Sequence, residues 1–269
     1  MQEATDPMRR PRERVLFLGG NGHAPWRLRA ACSVLEREFG EVLALHDVPL
    51  AGFDGRSRAS SFEDFLDQLE QQVARLGGEL PGTTIYATGV GGLYALGLRA
   101  RGRLASTPLI FQGPVLWGLE QRRFPRIMRA LPAGPQLLQR LFRVPAVQRR
   151  FARKHFEREL EPTELNSFFE GYERATSFAD MFDWLTPEWL RSMEQQLAEH
   201  PEALDGIEFW WGELDHVVGP DELERTERAL GRSFPVRRFP GWGHYPMIDD
   251  PVGWARELAR VVLRRQVSA

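Results

Sequence analysis

Short apolar runs alternate with amphipathic segments along the first half of the chain. The runs combine β-branched and large apolar residues, which predicts buried strands at residues 15–18, 42–45, 83–88 and 108–113. Between them, apolar residues recur at helical spacing, first in a segment that begins near Pro25 and is stopped by Gly40. This alternation predicts an α/β fold with a mostly parallel central sheet, right-handed crossovers and helices on both faces.

The alternation stops after residue 116. The next stretch contains only amphipathic helical segments separated by prolines, and strand-like runs return at residues 207–211 and 236–239. A final helical pattern covers residues 251–265. We therefore predict a helical cap inserted into a single core, with a flexible N-terminus at residues 1–13, the core at residues 14–116 and 205–269, and the cap at residues 117–204.

The third predicted strand ends in a turn of small residues, IYATGVGG at residues 85–92. A helical pattern follows this turn directly. A strand, a tight turn and a helix form the setting of a nucleophile elbow, whose pattern is small-x-nucleophile-x-small. Ala87 and Gly91 are the small residues, and the position between them is Gly89, which has no side chain to attack a substrate.

Composition and charge limit the function classes. The 269-residue chain has a formal net charge of -2, which gives no reason to expect a nucleic acid partner. Its single cysteine, Cys32, excludes an internal disulfide and a zinc site built from cysteines. No apolar run approaches the roughly 20 residues that span a bilayer, and no apolar signal segment follows the basic N-terminus, so a cytoplasmic protein is expected.

Several stretches in a fixed order resemble the α/β-hydrolase fold superfamily, in a capped form. LFLGGNGHAPW, from Leu16, is similar to the oxyanion loop, and HDVPLAGFDGRS, from His46, to a second family loop. WWGELDHVVGPDEL, from Trp210, is similar to the segment that carries the triad acid, and FPGWGHYPMIDDPVGW, from Phe239, to the one that carries the triad histidine. The chain before Val15 is too short for the two antiparallel strands that open the full family sheet, so we expect a trimmed sheet or a disordered start.

The resemblance implies roles for particular residues. Asp215 takes the place of the triad acid and His244 that of the base, in the chain order of this fold. The backbone amides of Asn21 and Val90 take the place of the oxyanion hole. Because these donors belong to the backbone, they are present whatever the side chains are. The same motifs imply substrate contacts at Gly20, His23, Trp211 and Trp242.

Gly89 departs from the family pattern. A covalent acyl-enzyme requires a hydroxyl, thiol or carboxylate at this position, and glycine offers none. Thr88 is the nearest hydroxyl, but using it would place Tyr86 where the turn requires a small residue. Cys32 lies in the first predicted helix, where a small core residue is the simpler interpretation.

The predicted cap is divided by charge and rich in aromatic residues. Its first half is basic, through Arg122, Arg123, Arg126, Arg129, Arg140, Arg143, Arg149, Arg150, Arg153 and Lys154. One explanation is that this basic half and the acidic segment after it are solvated helical faces that neutralise each other. The alternative is a docking patch for an anionic substrate, an acidic carrier protein or a membrane surface. The aromatic residues of the second half predict an apolar roof over a crevice.

Two functions follow from these features, and a third is weaker. The first is an enzyme in which His244, aligned by Asp215, acts as general base on a small, largely apolar carbonyl or ester compound, without a covalent serine intermediate. The second is a non-catalytic protein that binds such a ligand as a sensor, carrier or scaffold. The third is docking of an acidic partner on the basic half of the cap. Nothing in the sequence indicates a metal or an organic cofactor.

Overall fold

A single parallel sheet organises the protein in the computed structural model, which describes residues 13–53 and 55–265. Its six strands lie in the order β2-β1-β3-β4-β5-β6, and every neighbouring pair is parallel. The strands are β1 (Glu13–Leu18), β2 (Leu43–Asp47), β3 (Thr83–Thr88), β4 (Leu109–Gln112), β5 (Ile207–Gly212) and β6 (Val236–Phe239). The predicted α/β class and parallel sheet are confirmed.

Helices connect the strands as the apolar spacing predicts. The core helices are α1 (Arg29–Phe39), α2 (Phe62–Arg75), α3 (Gly91–Ala100), α10 (Asp221–Leu230), α11 (Pro246–Asp249) and α12 (Pro251–Arg265). Between β4 and β5 lie α4 (Arg123–Ala130), α5 (Gly134–Leu141), α6 (Pro145–His155), α7 (Pro162–Arg174), α8 (Asp180–Trp184) and α9 (Pro187–Glu199). Short 3-10 turns occupy Pro25–Leu28, Trp117–Gln121 and Pro201–Leu204.

The order of the strands places helices on both faces of the sheet. The chain moves from β1 to β2 in one direction along the sheet and from β2 to β3 and β4 in the other. Because parallel crossovers are right-handed, helices on connections that run in opposite directions lie on opposite faces. Accordingly α1 packs against α12, whereas α3 packs against α2 and α9. The carboxyl ends of all six strands therefore share one edge.

The sheet differs from the sequence prediction at its margins. β1 begins at Glu13, inside the region predicted to be a flexible N-terminus, and Glu13 donates its amide to the carbonyl of Val42. β2 continues through two polar residues to Asp47, because it lies at the edge of the sheet, where side chains reach solvent. The remainder of the predicted N-terminal segment, residues 1–12, lies outside the described residues.

The residues between β4 and β5 form helices throughout the part that the structure describes. We call residues 117–204 the helical insertion. Its connection to the core is held by Glu222 of α10, a buried carboxylate that accepts hydrogen bonds from the amides of Leu116 at 2.9 Å and Gly118 at 2.7 Å. Two otherwise unpaired buried amides are satisfied in this way, which fixes the chain where it leaves the sheet.

The core is apolar and continuous across both faces of the sheet. All six residues of β3 are buried, as its β-branched and aromatic sequence predicts. α2 begins after Ser61, whose hydroxyl accepts from the amide of Asp64 at 3.1 Å. Within residues 13–53 and 55–265, no helix is both long enough and apolar enough to cross a bilayer.

Candidate active site

Gly89 occupies the sharp turn between β3 and α3. Its φ of +54° lies in the left-handed region, which glycine adopts without the strain of about 1–3 kcal/mol that another residue would carry. The carbonyl of Gly89 accepts from the amide of Val115 at 3.0 Å, which fixes the turn against the chain after β4. A Cβ atom added to Gly89 would have no heavy atom within 4 Å, so the space that a nucleophile would occupy is open.

Asp215 and His244 form a buried pair at the same edge of the sheet. Asp215 follows β5, His244 follows β6, and the carboxyl ends of parallel strands meet at one crevice. The imidazole Nδ1 lies 2.8 Å from Oδ2 of the carboxylate, so Nδ1–H donates to Asp215. In the neutral imidazole, this tautomer leaves Nε2 of His244 without a proton and able to accept one.

The environment of Asp215 favours its ionised form. Burial raises the pKa of Asp215, but the charge and hydrogen bond of His244 and two backbone hydrogen bonds outweigh burial, so the pKa lies below its ordinary value. Those backbone donors are the amides of Val217 and Val218, at 2.8 and 2.9 Å from Oδ1. Asp215 is therefore a fixed anion that orients the imidazole.

Gly113, which the sequence reasoning missed, lies against the Asp–His pair. It follows β4 with a φ of +46°. A Cβ atom at this position would lie 2.7 Å from Oδ2 of Asp215 and 3.2 Å from Nδ1 of His244. Only a residue without a side chain allows the pair to form here, and no local sequence pattern marks the requirement because the contact joins three separate loops.

Substitution Gly113→Ala is expected to separate His244 from Asp215. Because misplacing a catalytic group by about 1 Å costs on the order of 100-fold in rate, any His244-dependent turnover should fall by about that factor. The measurement is the downfield imidazole Nδ1 proton resonance together with the rate. Gly231→Ala is the matched control, since Gly231 has a φ of +62° and no heavy atom within 4 Å of an added Cβ. An unchanged Nδ1 resonance in Gly113→Ala would contradict the geometry.

The two predicted oxyanion amides lie beside the turn. Asn21 and Val90 both line the cavity that contains Gly89 and His244. In the part of the chain that the structure describes, neither amide donates to an acceptor. Gly20 packs on the elbow, because a Cβ added there would lie 3.3 Å from the nitrogen of Val90. Asn21 and Val90 therefore border the same cavity as Gly89 with amides that have no acceptor, and their role as an oxyanion hole stays a prediction.

One cavity of about 740 Å³ joins these groups to the helical insertion. Residues of the core form one end, including Gly20, Thr88 and Tyr245. Apolar and aromatic side chains of the insertion form much of the remaining wall, among them Phe142, Phe151, Phe178 and Met181. A volume of this size suits a small organic ligand, and the polar groups converge at one end.

His155 is a second histidine in this cavity, and the sequence analysis did not single it out. It ends α6, and its ring centre lies 6.0 Å from that of His244. Nδ1 donates to the carbonyl of Phe151 at 2.8 Å, which leaves Nε2 as an acceptor. Burial and the neighbouring charge of His244 lower the pKa of His155 to about 3, so this imidazole is neutral near pH 7.

Three predicted substrate contacts lie elsewhere. Trp211 and Trp242 are buried, and neither lines the cavity. The Trp242 ring stacks on Phe239 at 3.8 Å between ring centres, so it packs in the core beneath β6. His23 is also buried and lies 2.7 Å from Asp47 at the end of β2. These three side chains are therefore not part of the cavity that contains His244, because large rings near a strand end are buried as readily by packing as by a ligand.

Among the residues that the structure describes, no group of three histidine, cysteine, aspartate or glutamate side chains lies close enough to hold a metal ion. Cys32 lies partly buried on α1, and burial is the main cause that raises the pKa of its thiol. It does not line the cavity with His244. The candidate chemistry therefore rests on the Asp–His pair and the backbone amides.

The sequence of the chain matches a known family. The family model described as "Alpha/beta hydrolase family" matches residues 15–257, and the chain belongs to this family. Comparison with curated protein sequences finds no significant match.

Solved structures share the same fold at low sequence identity. Haloalkane dehalogenase DbeA from Bradyrhizobium elkani USDA94 has a TM-score of 0.73 and 19% identity, over 96% of this chain and 92% of that one. A protein assigned as an aryl esterase from Burkholderia cenocepacia has a TM-score of 0.70 and 17% identity, and the match covers 100% of this chain and 94% of that one. A membrane phospholipase A has a TM-score of 0.63 and 17% identity, and the match covers 96% of this chain and 80% of that one. At these identities the likeness shows the fold alone.

Proposed function

We propose that the protein is a hydrolase-like enzyme in which His244 acts as general base on a small carbonyl or ester compound, without a covalent intermediate on the protein. One observation carries the proposal. His244, held by Asp215 at 2.8 Å, lines the same cavity as Asn21 and Val90, whose amides have no acceptor. A base and an oxyanion site around one open volume are what addition to a carbonyl requires.

The space at Gly89 supports a route that omits the acyl-enzyme. Because nothing lies within 4 Å of an added Cβ, a water molecule or part of the substrate fits where a serine side chain would be. Nε2 of His244 would take a proton from that water as it attacks the carbonyl carbon, and the developing oxyanion would accept hydrogen bonds from the two amides. Asp215 would stabilise the imidazolium until the proton passes to the leaving group.

A second reaction type uses the same groups. His244 would remove a proton from the substrate itself, and the amides would hold the resulting enolate, which is lyase, isomerase or cyclisation chemistry. Relatives of this fold include proteins named as an esterase and a phospholipase. Those names favour hydrolysis of an ester or thioester, and we therefore place direct water attack first.

The test uses the wild-type chain and a neutral thioester, S-butyryl-N-acetylcysteamine. We expect slow hydrolysis, and we expect His244→Ala to lower its rate by about 100-fold or more, since general-base catalysis contributes on the order of 10²–10⁴. Mass spectrometry of quenched reactions should show no acyl group on the protein. A stable acyl adduct, or equal rates for the wild type and His244→Ala, would contradict the mechanism.

A non-catalytic binding protein is the second candidate, and Gly89 is the observation that favours it. A pocket that retains its shape but has no nucleophile is suited to holding a ligand as a sensor, carrier or scaffold. The same assay separates the two functions. Binding of the thioester without turnover, with a Kd that changes in His244→Ala, would establish the binding role and exclude the general-base role.

A further inference from the structure

The wall of the cavity is positively charged. Its charged side chains all belong to cationic residues, namely Arg27, Arg122, Arg123, Arg129, Arg150 and Lys154. No aspartate or glutamate lines it among the residues whose side chains the structure describes. Cations gathered around a concave, partly apolar space focus a positive potential there, which raises the local concentration of anions.

Only some of the cationic side chains of helix α6 line this cavity. Positions 147, 150, 151, 154 and 155 line the cavity, which is the spacing of one helical face. Arg149 and Arg153 belong to the same helix but do not line the cavity. The basic half of the insertion therefore divides into cations at the cavity and cations elsewhere on the surface, a division that the sequence alone did not reveal.

The cations at the cavity have few partners within the protein. Arg123, Arg150 and Lys154 form no ion pair within the described part of the chain. Arg122 donates to the carbonyl of Val217 at 3.1 Å and reaches Glu222 only at 3.7 Å. By contrast, Arg158, outside the cavity, makes a two-pronged ion pair with Glu164 at 2.7 and 2.8 Å.

Arg27 is the strongest single indication of an anion. It lines the cavity although it is only 5% exposed, and Nε and Nη2 of its guanidinium are buried without an acceptor. Its guanidinium lies 4.1 Å from the centre of the Phe168 ring, which stabilises the charge but accepts no hydrogen bond. A buried donor group without an acceptor is rare, and a bound anion would account for it.

The rest of the wall is apolar. The insertion contributes Leu138, Phe142, Phe151, Phe178, Met181 and Leu185 to the same cavity. Apolar surface of this kind binds hydrocarbon or aromatic groups through the hydrophobic effect. A ligand that satisfies both parts of the wall must combine an apolar body with an anionic group.

We propose that the cavity binds an amphipathic anion, with an acyl or aryl body and a terminal carboxylate or phosphate. The body lies along the apolar wall, and the anionic group is held by the cations of α4 and α6 or by Arg27. The inference rests on the cavity of the proposed function and names its substrate class. It concerns binding only, so it can be tested separately from the proposed reaction.

The test is calorimetric titration of the wild-type chain with decanoate, decyl phosphate and decan-1-ol, each below its aggregation limit. We expect one of the two anions to bind at least about tenfold more tightly than the alcohol, since hydrogen bonds to charged groups are the strong ones. The tighter anion identifies the terminal group as carboxylate or phosphate. Equal affinities for the alcohol and both anions would overturn the proposal.

A matched pair of variants locates the binding. Arg150→Gln/Lys154→Gln removes two cavity cations, whereas Arg149→Gln/Arg153→Gln removes the same charge from α6 away from the cavity. We expect the first variant to weaken binding of the anion by about tenfold and to leave binding of the alcohol unchanged. The second should bind as the wild type does. Equal losses in both variants would overturn the proposal, because they would show a surface effect only.

Two further binding measurements, with inorganic phosphate and with anionic vesicles, test other anions. Comparison with the thioester assay then distinguishes failure of the ligand class from failure of the proposed reaction. Inorganic phosphate that binds as tightly as decyl phosphate would show that no apolar body is recognised. Capture by anionic phospholipid vesicles that depends on Arg149 and Arg153 rather than Arg150 and Lys154 would assign the charge to a membrane surface; both results would overturn the proposal. If decanoate binds but the thioester is not hydrolysed, the ligand class holds and the general-base mechanism fails.

Discussion

Substitution Gly89→Ser is expected to confer esterase activity on p-nitrophenyl acetate and butyrate. A serine Cβ would enter open space at the elbow, because no heavy atom lies within 4 Å. Its hydroxyl would then meet Nε2 of His244 and the free amides of Asn21 and Val90, which together complete a nucleophile, base and oxyanion site. We expect a rate at least about 100-fold above that of the wild type, since activating a nucleophile by a positioned base contributes on the order of 10²–10⁴.

The control variants separate the hydroxyl from the backbone. Gly89→Ala carries the same left-handed strain, about 1–3 kcal/mol, but has no nucleophile. It should therefore melt at a similar temperature to Gly89→Ser and show no esterase gain. His244→Ala in the serine background should return the rate to the background of Gly89→Ala. A folded Gly89→Ser variant without activity would contradict the identification of this turn as the elbow.

Asp215→Asn in the Gly89→Ser background should lower kcat/KM for p-nitrophenyl butyrate by about 10³–10⁴-fold. Asparagine can keep the hydrogen bonds from Val217 and Val218 through its oxygen. Its amide group would then face Nδ1 of His244 as a donor, which favours the tautomer with the proton on Nε2. That tautomer cannot accept a proton from the serine, so the loss should occur without unfolding.

The pH profile provides a further check on Asp215. Because its pKa in the folded protein is lowered, Asp215 is ionised at and above the ordinary pKa of an aspartate and adds no transition there. Protonation of Asp215 in the folded protein begins only as pH falls below that ordinary value, and the stability from its ionised form is lost in that range. The activity of the Gly89→Ser variant should therefore show no transition from Asp215 at or above that ordinary value, which a pH–rate profile checks. A transition in that range that disappears in Asp215→Asn would contradict the assignment.

The fold was predicted from the sequence because its signals are local. Apolar runs, helical spacing and small residues at turns act over a few neighbours, and they located each strand of the sheet to within about two residues, the usual error for element boundaries. The residues Asp215 and His244 were named from motif context, and the structure brings them to 2.8 Å. Both residues follow strands closely. Because the carboxyl ends of parallel strands meet at one edge of the sheet, the positions of the strands already predict that the two residues lie close together.

Features that depend on several loops were not predicted. Gly113 lies against Asp215 and His244 only because three strand ends converge, and His155 reaches the cavity only because α6 folds back over the core. Trp211 and Trp242 were expected to contact substrate, yet both are buried away from the cavity. A tryptophan beside a motif has the same local sequence whether it packs in the core or lines a pocket.

The sequence by itself determined the class of fold, the helical insertion between β4 and β5, and the absence of a side chain at Gly89, since each depends on residue type and spacing along the chain. Only the tertiary structure decided which side chains share the cavity. It brought Arg27, Arg150 and Lys154 to one wall and left Arg149 and Arg153 outside it. The physical reason is that the direction of a side chain depends on how whole helices pack on the sheet, which is a property of contacts between residues far apart in the chain.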